Sequence, residues 1–192
     1  MTSQRERILG AARDLYLEQG LKGLSMRKVA SRIGVTATAI YRHFRNKEEL
    51  IYHVIGEGFR LFGSYLYRAL KGNTPRERFQ RCGEAYLQFG LEKSKYYEVI
   101  FMSPDLLGYL KIPPEIQRQA GATFQFLVNG VREGIEAGFL KKAEPEAIAL
   151  TIWAQCHGLL SLYLSRKLEQ DPKRFRKLYW ASLERLFAGL MK

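Results

Sequence analysis

Apolar residues in this chain recur at three- and four-residue spacings, the period of an amphipathic helix. Ile8, Leu9, Ala12, Leu15 and Tyr16 form one stripe. They predict a first helix that Gly20 stops, with Leu21 to Leu24 as a loop. Ser25 is an N-cap residue type, and Met26, Val29, Ala30 and Ile33 make the apolar face of a short second helix. Gly34 supplies the positive φ a tight turn needs. Thr36 then caps a third short helix with Ile40 and Phe44 facing inward. Asn46 caps a fourth, with Glu49 placed to complete a capping box. This helix runs to about Leu70, before the Gly72-Asn73 break.

The same signals organise the remainder. Thr74-Pro75-Arg76-Glu77 starts a helix with Pro at its first position and Glu at its third. A short segment from Tyr96 to Met102 follows, broken by Ser103-Pro104-Asp105. Pro113-Pro114-Glu115 opens a helix ending near Gly138, Pro145 one reaching about Leu168, and Asp171-Pro172 the last. No stretch alternates as a strand does and no hairpin dipeptide occurs, so the fold class predicted is all-α. Composition shifts once, near Leu50, from a polar, basic head to an aromatic-rich body. Two domains are therefore expected, residues 1–50 and 51–192, sharing the long fourth helix.

Charge changes the picture more than bulk composition does. The chain has 192 residues, 46% of them hydrophobic, enough for a sizeable core. Lys and Arg number 31 against 19 Asp and Glu, a formal net charge of +12. Such a surplus points to an anionic partner, nucleic acid ahead of an anionic membrane. Its distribution sharpens this. No acidic residue lies between Glu18 and Glu48, whereas Lys22, Arg27, Lys28, Arg32, Arg42, Arg45 and Lys47 do.

Two short capped helices joined by a Gly-containing turn are the pattern of a helix-turn-helix. The second helix of that motif enters the major groove with its N-terminal residues at the base edges. Ala37, Thr38 and Ala39 are small enough for close approach, and a methyl or hydroxyl there can touch a thymine methyl or base edge. Arg42, four residues after Thr38, shares the outer face and can reach guanine or phosphate. Tyr41 and His43 flank it, and Lys47 sits in the first turn of the next helix, where anions bind.

Other chemistry is sparse. His43, His53 and His157 are far apart and no pair has metal-ligand spacing, so neither metal nor cofactor is expected. No P-loop, dinucleotide fingerprint or nucleophile elbow occurs, and an enzyme is not expected. Cys82 and Cys156 sit in apolar helical patterns and read as buried free thiols, which fits a reducing cytoplasm. The N-terminus has no signal pattern. No segment is taken to approach ~18 uncharged apolar residues, so no membrane span is expected. The rival reading is a ligand-binding or membrane-surface protein whose basic charge serves anionic lipid. The arrangement of charge around a turn and short helices, rather than along one amphipathic helix, disfavours it.

Residues 5–50, through ILGAARDLYLEQGLKGLSMRKVASRIGV and ATAIYRHFRNKEELI, resemble the DNA-binding head of the TetR (tetracycline repressor) family of bacterial regulators. Tyr-Arg-His-Phe followed by Asn-Lys-Glu-Glu-Leu is the specific part. The resemblance implies DNA contacts at Arg27, Thr36, Ala37, Thr38, Tyr41, Arg42, His43 and Lys47. Ala37 and Ala39 depart from members with larger polar residues there, which leaves base reading chiefly to Thr38 and Arg42.

For the body the resemblance implies a helical bundle that binds a small-molecule effector and dimerises. Candidate pocket residues are Phe59, Phe62, Tyr86, Phe89 and Tyr97, then Phe101, Phe124, Leu127, Trp153 and His157. Trp153, His157 and Gly158 also resemble a Trp-x-x-x-His-Gly pattern found in one subset of the family. The last two helices carry broad apolar stripes, and the family pairs them with their copies. The implied interface is Ile152, Cys156, Leu159 and Tyr163 with Tyr179, Leu183, Leu186 and Phe187. The expected function is a cytoplasmic, homodimeric, effector-responsive repressor on a palindromic operator in double-stranded DNA, with no membrane partner.

Overall fold

A computed structural model describes residues 3–103, 112–168 and 170–192. The chain is all-α, with no strand among the described residues apart from an isolated bridge between Leu140 and Met191. In order come α1 (Gln4–Gly23), α2 (Met26–Ile33), α3 (Ala37–Tyr41) and α4 (Lys47–Tyr67). A 3-10 turn, Arg68–Lys71, leads to α5 (Pro75–Glu92). Then come α6 (Ser94–Tyr97), which runs on as one π-helical turn (Glu98–Met102), α7 (Pro114–Glu136), α8 (Pro145–Leu164) and α9 (Pro172–Leu190). Ser103 ends the π turn as expected, while Pro104 and Asp105 lie outside the described residues.

Local chemistry accounts for most boundaries. Ser3 and Glu6 close a full capping box on α1. Gly20, at φ 66° and ψ −167°, kinks that helix instead of ending it. The expected loop from Leu21 is therefore helical to Gly23, because no proline follows the kink to forbid renewed helical bonding. Asn46 Oδ1 accepts from the Glu49 amide at 3.0 Å, but the Glu49 carboxylate reaches one residue further back, to the Arg45 amide at 2.8 Å. Thr74 and Glu77 repeat this wider box at α5, with Glu77 taking the Asn73 amide. α8 stops at Leu164, short of the expected Leu168, because Arg166 adopts a left-handed φ of 57°.

The residues pack as two compact units. One comprises Met1–Leu61 with Lys95–Gln119, the other Phe62–Ser94 with Ala120–Lys192. This is a division by packing, whereas the boundary expected at residue 50 is one of role. The first unit buries Ile8, Leu15, Leu24, Val29, Ile40, Phe44, Leu50 and Ile55. The second buries Phe79, Leu87, Phe89, Val128, Val131, Leu160, Phe175, Tyr179 and Leu183. There α5 and α8 come so close that a Cβ on Gly90 would lie 2.0 Å from Leu160 Cδ2, which is why no larger residue fits.

α8 corrects one expectation. It holds an 18-residue stretch of mean hydropathy 1.4, long and apolar enough to cross a membrane by length and composition, and only 28% of that stretch is buried. Its polar interruptions, Thr151, Gln155, His157 and Ser161, are all uncharged, and the core helix of a helical bundle passes the same test of length and composition.

Candidate nucleic-acid interface and ligand cavity

The α2–α3 turn follows from Gly34. It sits at φ 71° and ψ 38°, a left-handed cap on α2 that a side chain would strain. Its amide reaches Ser31 O at 3.3 Å, and the Val35 amide reaches Ala30 O at 3.0 Å. Thr36 Oγ1 accepts from the Ala39 amide at 3.2 Å and starts α3. Beyond α3, the amides of His43 and Phe44 both donate to Ile40 O, at 2.9 and 3.0 Å. Ile40 and Phe44 are buried. With this face anchored, Thr38, Tyr41, Arg42 and His43 are all exposed, while Ala37 and Ala39 are half-buried. Tyr41 is 55% exposed, so it is a surface residue and not part of the core.

The basic residues differ in their partners, and Lys28 Nζ donates to Gln19 Oε1 at 3.2 Å. Arg27, Lys28, Arg42 and Arg45 are exposed. Arg32 is held by Glu18 through two bonds of 2.8 Å. That bond lowers the Glu18 carboxyl below its ordinary range. Arg7 Nη2 donates to Ile33 O at 3.1 Å, closing the end of α2. Lys47 Nζ donates to Leu21 O at 2.6 Å, which ties α4 to the segment after the α1 kink. Of the expected DNA residues, then, Arg27, Thr38, Tyr41, Arg42 and His43 present exposed side chains, whereas Thr36 and Lys47 also hold the motif together.

The candidate effector residues are distributed over both units. Phe101 lies against Phe59 and Tyr97 in the first unit, with ring centroids 6.2 and 5.0 Å apart. In the second unit Phe62 packs on Tyr86 and Phe89, at 5.7 and 4.9 Å. Elsewhere in that unit Trp153 meets Phe124 at 6.0 Å and His157 at 5.8 Å. His157 Nε2 lies 3.3 Å from Ser161 Oγ, and burial holds its pKa below the ordinary imidazole value. Leu127 alone among the ten lines a cavity of about 160 Å³ in the second unit. The cavity is otherwise formed by Leu70, Phe79, Cys82, Phe126 and Gly130, with Arg78, Asn129 and Glu133 as its polar part. Arg78 Nη2 donates to Glu133 Oε2 at 3.0 Å, and its Nη1 to Gly72 O at 3.3 Å. Sequence reading missed these residues because Phe79 and Cys82, or Phe126 and Gly130, have the spacing of any packed helix face. Among the described residues no group of three or more His, Cys, Asp or Glu could hold a metal ion.

The expected interface residues also split. Ile152, Cys156, Tyr179 and Leu183, expected at the dimer interface, are buried within this chain's own core. The stripes are broad because they serve two faces, and sequence alone does not say which is inward. Leu159, Tyr163, Leu186 and Phe187 are half-buried, Tyr163 stacking on Phe175 at 4.0 Å and Phe187 meeting Phe79 at 5.6 Å. The apolar residues that do face outward are Leu150, Leu162 and Leu178, at 54%, 41% and 41% exposure.

Known proteins match both parts. Residues 8–54 match the family described as bacterial regulatory proteins, tetR family, and residues 79–186 the tetracyclin repressor-like C-terminal domain. An uncharacterized HTH-type transcriptional regulator of Bacillus subtilis (strain 168), YhgD, is 25% identical over 189 residues, covering 88% of this chain and 98% of that protein. A protein of unknown function from Rhodococcus sp. RHA1 superposes with a TM-score of 0.87 at 24% identity, over 100% of this chain and 97% of that one. AibR, solved in complex with isovaleryl coenzyme A and operator DNA, superposes with a TM-score of 0.68 at 20% identity, over 83% and 86% of the two chains. With a helix-turn-helix at its head, a matching C-terminal domain and the same fold along its length, this chain belongs to the TetR family of DNA-binding transcriptional regulators, and it is not an enzyme.

Proposed function

We propose that this regulator is a cytoplasmic homodimer that represses from a palindromic operator and is released by a small apolar ligand. The observation that carries the DNA part is the exposed set Thr38, Tyr41, Arg42 and His43, beside a buried Ile40 and Phe44, in a stretch with no acidic residue between Glu18 and Glu48. Phosphate contacts from Arg27, Arg42 and neighbouring cations supply affinity, and Thr38 and Arg42 supply base choice. One recognition helix reads few base pairs. A two-fold dimer reads both halves of a palindrome with half-sites about 34–36 Å apart. An α8 that is long, apolar and 28% buried supports that dimer. Head and body divide by role at residue 50, with α4 passing through both.

For the ligand, the cavity supports a compact apolar group. About 150 Å³ is the size of an engineered cavity that binds benzene, so one ring or a short acyl group fits about 160 Å³. AibR, a protein of this fold, was solved with both an acyl ligand and operator DNA. We read the same two roles here. Ligand binding shifts α4 and with it the separation of the two recognition helices. The ligand must bind the released state more tightly to do so.

Selection of binding sites from random duplex DNA, then a salt titration on the enriched sequence, tests the proposal. A palindrome with a steep salt slope is expected. Enrichment of no sequence, with only general salt-sensitive binding, overturns operator recognition.

A further inference from the structure

Behind the recognition segment, three side chains form a clamp. Arg5, in the first turn of α1, places Nη2 3.0 Å from His53 Nε2 on α4. Its guanidinium carbon lies 5.1 Å from the centroid of the Phe44 ring. The His53 ring meets the same ring edge-on, with centroids 5.8 Å apart and planes at 86°. Phe44 is buried, and its amide is fixed to Ile40 O. The ring that Arg5 and His53 enclose therefore belongs to the residue immediately after Tyr41, Arg42 and His43.

We propose that Arg5 and His53 are positioning residues for DNA recognition: they hold Phe44, and through it the exposed Tyr41–Arg42–His43 segment, and the hold loosens when His53 gains a proton. The inference rests on the DNA-binding reading of that segment. A guanidinium only donates, so His53 Nε2 must be the acceptor and the ring must be neutral with its proton on Nδ1. An imidazolium has N–H on both nitrogens and cannot accept. It would also face the Arg5 cation. Burial first, then Arg5 from α1 and Arg60 on α4 itself, hold His53 below the ordinary value of 6.5, with Glu49 on α4 opposing. The Arg42–Asn46 segment faces the imidazole with the neutral Phe44 ring. The clamp is complete above pH 6.5 and is lost as pH falls through the lowered value.

Each variant is compared with wild type at the same pH, so that contributions common to all of them cancel. His53→Gln keeps an acceptor oxygen for Arg5 but does not titrate. Arg5→Met keeps a stem over Phe44 but loses the donor. The probe is a fluorescein-labelled duplex of the selected site, or of mixed sequence if none is enriched, read by anisotropy at fixed salt. The ratio of wild-type to His53→Gln Kd should rise from near unity at about pH 8 to roughly three- to ten-fold once the pH has fallen through the lowered His53 value. Arg5→Met should already be weakened by a similar factor at about pH 8, with no further acid loss relative to His53→Gln. A merely structural role would weaken the variants by the same factor at every pH. A wild-type to His53→Gln ratio that stays flat with pH, with duplex binding intact, would overturn the clamp alone. Absence of binding to any duplex at any pH would overturn the DNA-binding reading, and the clamp with it.

Discussion

Lys47 Nζ donates to the backbone carbonyl of Leu21 at 2.6 Å, across 26 residues of sequence. The bond joins the first turn of α4 to the segment that follows the Gly20 kink, and so closes the helix-turn-helix from behind. Lys47 therefore orients the motif whether or not its remaining N–H groups also meet phosphate. Lys47→Met should lower stability by about 1.5–3 kcal/mol, the range of a hydrogen bond from a charged group. Urea melts followed by circular dichroism measure it. An unchanged midpoint would reduce Lys47 to a surface cation.

Arg42 and Arg32 make opposite cases. Arg42 is exposed, whereas Arg32 is engaged by Glu18. Arg42→Ala should cost about 1–3 kcal/mol of specific affinity and leave the melting temperature in place. Arg32→Ala should scarcely change the salt dependence of binding, because its charge is already balanced. Titrations of the selected duplex at several salt concentrations separate the two. Equal losses would mean that the Glu18 pair opens on DNA.

Thr36 caps α3 through its hydroxyl, so its expected DNA role is tied to a structural one. Thr36→Ala should lose about 1 kcal/mol of stability, and Thr36→Ser should retain both stability and operator affinity. A serine variant that folds normally yet binds poorly would instead assign the threonine methyl to a base.

The two thiols give a pH-dependent signature. Burial raises Cys82 to about 12 and Cys156 to about 11. Below those values both stay as thiols, and only the thiolate attacks. At about pH 8 the native protein should resist alkylation by iodoacetamide, and reaction should accelerate sharply in urea. Mass spectrometry of the peptides reads the outcome; rapid modification of native Cys82 would place it outside the core.

The outward apolar residues test the dimer. Leu150→Arg with Leu162→Arg should give a monomer with intact helicity and much weaker operator binding. Sedimentation velocity gives the mass. By contrast Leu183→Ala, inside the chain's own core, should cost about 2–5 kcal/mol whatever the oligomeric state. A double variant that remains dimeric would move the interface elsewhere.

The sequence by itself determined the local elements and the DNA-facing head. Capping residues, prolines and Gly34 act on their own few neighbours, so Ser25, Thr36, Asn46, Thr74 and Asp171 mark helix starts that the structure repeats. The head is short and its inward residues are spaced by one helix period, so burying Ile40 and Phe44 exposes Thr38 and Arg42 almost automatically. Tertiary structure alone decided which face of a broad apolar helix is the core. α8 and α9 are apolar on more than one side, and burial depends on what packs there, which is why Ile152, Cys156, Tyr179 and Leu183 turned inward. It alone assembled the cavity, whose walls come from the 3-10 turn, α5 and α7, and the clamp, which draws Arg5, Phe44 and His53 from three separate places in the chain. Helix period reports on which side of its own helix a residue lies; it carries no information about which residue of another helix will meet it.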